Sequence, residues 1–194
     1  GRPLLEVEVD TCRAIASTLR RTRHAAAVAI ALSGGGTADI GNITRNHIDL
    51  ADGTITLPGS RHIAERRVRI PGQWEYDVLA ERIDDLAALG DPADSGLIVR
   101  RTGNDASRQA GAAIALSEIL NSIQLRSDDT IKPASFSRWA ALVRFETTGD
   151  IAQAAALLGT SSLDTAASAI GWDWANDPIL KCDPRPDYRP GVIT

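Results

Sequence analysis

Ser33-Gly34-Gly35-Gly36-Thr37-Ala38-Asp39-Ile40-Gly41-Asn42-Ile43-Thr44-Arg45-Asn46-His47-Ile48-Asp49-Leu50 runs on, past Asp52-Gly53, into Thr54-Ile55-Thr56-Leu57-Pro58. The triple glycine is the most permissive backbone in the chain. It follows a stretch, Thr22 to Leu32, in which Ala25, Val28, Ala29 and Leu32 recur at helical spacing, so it reads as a helix stop. Thr37 to about Ile43 then predicts a short helix. Asp52-Gly53 is a turn signal, and Thr54 to Leu57 alternate as a strand that Pro58 ends.

Outward from this core, Val9, Cys12, Ile15, Ala16 and Leu19 share one face of a helix that Asp10 or Thr11 would cap. On the other side, Arg66 to Ile70 predicts a second strand closed by Pro71-Gly72, and the polar stretch Gly59 to Glu65 makes the two strands a hairpin. Leu79, Ile83 and Leu86 mark a helix from about Glu75 to Leu89, ended by Gly90-Asp91-Pro92. Leu97-Ile98-Val99 reads as a third strand, and about Ser107 to Leu125 as a long helix. Three helices follow over Ser135 to Thr147, Ile151 to Leu158 and Leu163 to about Ile170, separated by Gly149 and Gly159. The expected fold is mostly α with a small three-stranded antiparallel sheet, a single domain over residues 1–170. An extended tail over 171–194 would dock through Trp172 and Trp174.

The 194 residues are 43% hydrophobic, enough for a real core, and the net charge is −4. That balance argues against coating nucleic acid by bulk charge, but it is an average. Residues 1–72 carry 10 Arg against 7 acidic residues, net +3, whereas 73–194 carry 11 basic against 18 acidic, net −7. Of 21 basic residues 19 are Arg, a compositional bias. Apolar runs are far shorter than the roughly 18 residues of a membrane span, and no charged-then-apolar leader opens the chain, so a soluble, cytoplasmic protein is expected. Cys12 and Cys182 are too far apart in sequence to suggest a disulfide framework or metal cluster, and no metal or cofactor is expected. Gly1 in first place and the absence of Met read as a piece of a longer protein. Gly34-Gly35-Gly36 lacks the Lys-Ser or Lys-Thr of a phosphate loop. His24, His47 and His62 lack metal spacing and read as surface residues; the pairs Asp84/Asp85 and Asp128/Asp129 read as solvated charge.

The stretch Ser33 to Leu50 with Gly53 to Thr56 resembles the tyrosine recombinase (phage integrase) catalytic domain. There a Thr-Gly-Leu-Arg-x-x-Glu-Leu segment opens a helix and feeds a three-stranded sheet. A second block agrees in the same order: Arg138-Trp139 through Arg144 and Gly149, then Leu157-Leu158-Gly159-Thr160-Ser161-Ser162-Leu163, similar to the family's His-x-x-Arg-His helix and Leu-Leu-Gly-His-Ser-Ser-Ile turn. The resemblance covers roughly residues 3–170.

In that family two arginines clamp the scissile phosphate, a hairpin lysine and two His-type residues handle protons, and a tyrosine attacks phosphorus. Carried over by position, the first arginine is Gly36, the hairpin lysine falls near Ala64, the His of His-x-x-Arg is Ser135, the next His is Thr160 and the tyrosine is Ala169; only the second arginine, Arg138, matches. An alanine methyl cannot attack phosphorus and a glycine cannot replace a bidentate guanidinium, so the resemblance implies a domain degenerate at its active site. Arg138 reads either as a phosphate contact or as a packed, acid-paired helix residue. Arg61, Arg66, Arg67 and Arg69 on the hairpin, with Arg45, are the other candidate duplex-DNA contacts, or else a solvated arginine face. The function implied is an inactive recombinase-like domain that binds DNA in a regulatory or accessory role in recombination or integration. The alternatives are a protein-interaction scaffold, with homo- or hetero-oligomers forming through the tail, and an active enzyme using Tyr188.

Overall fold

The computed structural model describes residues 1–100 and 102–173. Eight helices are described: α1 (Glu6–Thr18), α2 (Thr22–Leu32), α3 (Thr37–Asn42), α4 (Gln73–Ala88), α5 (Asp105–Ser122), α6 (Ala134–Thr148), α7 (Ile151–Leu158) and α8 (Leu163–Ile170). The strands β1 (Ile48–Asp49), β2 (Thr54–Leu57) and β3 (Arg66–Arg69) form one antiparallel sheet in the order β1-β2-β3.

Helix α2 is the axis of the molecule. Its apolar residues suggested one buried face, yet every residue from His24 to Leu32 is buried, because α1, α4, α5 and α6 surround it. A helix apolar on all sides must lie in a core. The run of small alanines lets those neighbours approach closely. His24, read from sequence as a surface residue, is therefore only 6% exposed and pairs through Nε2 with Glu118 of α5. Cys12 is likewise buried in the core, and burial pushes its thiol up to about 12, which leaves it unreactive.

Helix ends follow local chemistry. Asn104, Asp150 and Ser162 accept N–H bonds at the starts of α5, α7 and α8. Gly149, Gly159 and Gly171 close α6, α7 and α8 in the left-handed conformation. Helix α1 begins three residues before Val9, since the Glu8 carboxylate accepts the Leu5 N–H at 2.7 Å.

The expected three-stranded sheet is present, but its third strand is Ile48–Asp49, paired as Ile48 with Ile55 and Asp49 with Thr54. Leu97-Ile98-Val99 forms no strand. The Leu97 N–H donates to the Ile43 carbonyl at 2.9 Å and its carbonyl accepts from Arg82 Nε at 2.8 Å, so both groups are taken by other partners. Leu97 and Ile98 instead bury their side chains in the core. A two-residue strand is too short to show alternation, which is why β1 left no signal in the sequence.

A second, smaller apolar cluster joins Ala141, Ala154 and Ile170 to Phe145 and Trp172. The Trp172 and Phe145 rings lie 4.7 Å apart, so the expected aromatic docking holds for Trp172. Trp174 and the rest of the tail, including Cys182 and Tyr188, lie outside the described residues. Among the described residues no helix is long and apolar enough to cross a membrane.

Candidate functional site

The α2–α3 turn, the β2–β3 hairpin, the start of α6 and the end of α8 converge on a cleft of about 250 Å³. Gly36, Arg138 and Ala169 line it together, with Gly34, Thr37, Ile63, Arg66, Gln109 and Ser137 around them. Three positions that are 31 to 133 residues apart in sequence thus share one wall-to-wall space. Ala64 and Thr160 line an adjoining depression of about 440 Å³ with His62, Gly159 and Ser161, and Arg66 borders both. The Ala64 N–H donates to the Gly159 carbonyl at 3.0 Å, holding the hairpin loop against the end of α7. Ser135 is fully buried, and its hydroxyl accepts the Lys132 N–H at 3.1 Å as an internal brace of the α6 start.

The two arginines of the cleft have opposite surroundings. Arg66 donates to Asp39 Oδ2 at 2.9 Å and Oδ1 at 3.3 Å, to the Gly34 carbonyl at 2.8 Å, to the Ala64 carbonyl at 3.2 Å and to the Leu157 carbonyl. All three of its nitrogens are engaged. Asp39 is fully buried and also accepts the Gly36 N–H and the Gly59 N–H, each at 2.8 Å. One carboxylate therefore ties the start of α3, the hairpin and, through Arg66, the end of α7. Gly59 is required at its place: its φ is +72°, and a Cβ there would sit 2.3 Å from the Ile63 carbonyl.

Arg138 projects from α6 with its Nη1 buried and without a hydrogen-bond partner among the described residues. Gly1 packs against this guanidinium, and the segment that follows is held by Arg2 N–H to the Thr130 carbonyl at 3.0 Å and Leu4 N–H to the Ser135 carbonyl at 3.3 Å. Arg2 bridges Glu8 and Asp128. Its hydrogen bond to Glu8 holds that carboxyl below the usual carboxylate range, and the hydrogen bonds from Thr130 and Arg2 do the same for Asp128.

The remaining candidate arginines are dispersed. Arg61 is exposed at the hairpin tip. Arg67 pairs with Asp52 at 2.8 Å and Asp49 at 3.3 Å and donates to Thr54. Arg69 is exposed at the far end of β3, and Arg45 reaches the Asp91 carbonyl at 3.4 Å, away from the cleft. Sequence reasoning missed Asp39 as the centre of the ion-pair network. Its position three residues after Gly36, where a side chain can cap a helix start, was the available signal.

An α2–α3 glycine turn, a three-stranded hairpin sheet and an α6–α8 helical unit, all meeting at one cleft, constitute the fold of a tyrosine recombinase catalytic domain. Comparison with solved structures supports this directly. A crystal structure of XerA recombinase superposes with a TM-score of 0.70 at 18% identity, covering 97% of this chain and 66% of that one. The Tn1549 transposon integrase in complex with a circular intermediate DNA gives 0.62 at 10% identity, covering 86% and 60%. A lambda integrase dimer bound to a COC' core site gives 0.60 at 12%, covering 87% and 59%. This chain thus spans about two thirds or less of those proteins. No family model and no curated protein matches the sequence.

Proposed function

We propose that this chain is a DNA-binding domain on the recombinase catalytic fold that has lost strand cleavage and serves a regulatory or accessory role in DNA recombination or integration, in the cytoplasm and without a cofactor. The observation that carries the reading is the cleft itself. Gly36, Arg138 and Ala169 meet there, and of the two guanidiniums lining it only that of Arg138 makes no hydrogen bond or ion pair among the described residues. A phosphate oxygen in the cleft would accept from the part of this guanidinium that borders it. Ala169 offers no nucleophile, and the Thr160 hydroxyl is no substitute for an imidazole that moves protons near neutral pH. Losing even one aligned donor costs about 10²-fold in rate, so cleavage is not expected to survive the set of substitutions. Arg61, exposed at the hairpin tip, would add a phosphate contact.

The test is a titration of duplex DNA against the protein over a salt series, with Arg138→Ala alongside. Binding at low salt with a steep salt slope is expected, and the variant should lower that slope by about one. No retention at low salt sinks the DNA reading. A nicked suicide duplex that traps a covalent protein–DNA adduct would sink the loss of cleavage, and would bring Tyr188 forward as nucleophile. The second reading, a protein-interaction scaffold, draws on the engagement of Arg66 and Arg67 in internal pairs, which leaves fewer hairpin cations for DNA.

A further inference from the structure

Among the described residues the outer edge of β3 is open. The register pairs Ile55 with Val68 and Leu57 with Arg66, and the Ile70 N–H donates to the Gly53 carbonyl at 2.9 Å. Hydrogen-bonded and non-hydrogen-bonded pairs alternate in an antiparallel ladder. Arg66, Val68 and Ile70 therefore face β2, and the backbone N–H and C=O of Arg67 and Arg69 point away from it. Those outward groups have no hydrogen-bond partner among the described residues.

Beyond that edge lies a groove of about 480 Å³ between β3 and α6–α7, lined by Arg66–Arg69, Arg144, Gln153, Ala156 and Leu157. It continues into an apolar hollow floored by Leu32, Trp139, Ala140 and Val143. The side chains of Arg69 and Arg144 border both spaces and make no ion pair or hydrogen bond among the described residues. Two uncompensated guanidiniums beside an apolar floor favour an occupant that is anionic and apolar by turns, the period-2 pattern of an extended chain. The edge offers acceptors as well as donors. A phosphate backbone has no donors for the Arg67 and Arg69 carbonyls, whereas a peptide backbone matches both.

We propose that this groove receives an extended acidic segment of a partner protein, which adds to β3 as a fourth strand and places carboxylates on Arg69 and Arg144. This site is separate from the Arg138 cleft, and it stands or falls independently of DNA binding.

The test uses the full 194-residue chain and a fluorescein-labelled, end-capped octapeptide of alternating glutamate and valine, read by fluorescence anisotropy. Saturable binding is expected, weakened at least tenfold by Arg69→Pro. That change removes an outward N–H and no β2–β3 bond, a substitution tolerated on an edge strand. Arg144→Glu, on a helix surface, should weaken binding comparably, and far-UV circular dichroism should show both variants folded. The proposal is overturned if wild type shows no saturable binding, or if a peptide methylated at alternate amide nitrogens binds as tightly. A lysine-for-glutamate peptide binding equally well overturns it too. Displacement of the probe by duplex DNA would make the groove a nucleic-acid surface, and tighter binding by a synthetic 174–194 peptide would assign it to the chain's own tail; either result ends the proposal.

Discussion

Arg66 and Arg138 reach the same cleft from opposite walls, one from the hairpin and one from α6, yet they are in opposite electrostatic states. Arg66 is neutralised by a fully buried carboxylate and surrounded by three carbonyls. Arg138 keeps a buried nitrogen with no partner among the described residues. The lesson is that a guanidinium's residue type does not set its role; the acid within reach does. On the hairpin wall Asp39 converts a cation into a crosslink. On the α6 wall no acid among the described residues pairs with Arg138.

The strongest way to break this contrast is to remove Asp39. Asp39→Ala leaves Arg66 buried without its counter-charge and frees the Gly36 and Gly59 N–H groups. A loss of about 3–5 kcal/mol is expected in urea denaturation, as for other broken buried pairs. Replacing both partners, Asp39→Leu with Arg66→Met, should recover part of that loss. It should not recover all of it, because the two backbone donors stay unsatisfied. An additive double variant would show that the pair is not coupled.

Arg138→Ala should behave in the opposite way, with stability changed by less than about 1 kcal/mol, since this half-buried side chain makes no hydrogen bond among the described residues to lose. A destabilisation as large as that of Asp39→Ala would erase the contrast.

Gly36→Arg is a way to sharpen it. A Cβ at Gly36 meets only Asp39 Oδ2, at 3.7 Å, so the site has room. The new guanidinium would lie between the two walls and should strengthen duplex binding, raising the salt slope by about one. An unchanged slope would mean that Asp39 neutralises it as it does Arg66.

The smallest effect concerns the segment packed over Arg138. Glu8 has a folded pKa below its unfolded value because of Arg2, so its contribution to stability is complete above the ordinary carboxylate range. It is lost as pH falls through the folded value. Glu8→Gln should therefore flatten the acid limb of the stability curve by no more than about 1 kcal/mol, the scale of a partly exposed ion pair. Thermal midpoints between pH 2 and 7 would read it, and an unaltered acid limb would show that Glu8 does not anchor this segment.

Much of this was legible in the chain. The glycine run after Leu32, the Asp52-Gly53 turn, the alternation of Thr54 to Leu57 and the periodicities of α4 to α8 are local signals, and the helices and hairpin follow them. The assignment of Leu97-Ile98-Val99 as a strand did not hold, because a short apolar run looks the same whether it pairs edge to edge or plugs a core. His24 was misplaced at the surface for a related reason. Its neighbours in sequence do not reveal that α5 brings Glu118 against the first turn of α2.

The cleft divides along the same line. Which side chains stand at positions 36, 64, 135, 138, 160 and 169 is a matter of sequence alone, and the chemistry they lack follows from their atoms. That Arg66 is held by Asp39 while Arg138 is not was decided only by tertiary structure. Ion pairing depends on distances of a few ångströms between residues separated by tens of positions, and no local pattern encodes them. Sequence thus determined the identity of each side chain, and the packing of α3, the hairpin and α6 determined which guanidinium is neutralised and which has no partner among the described residues.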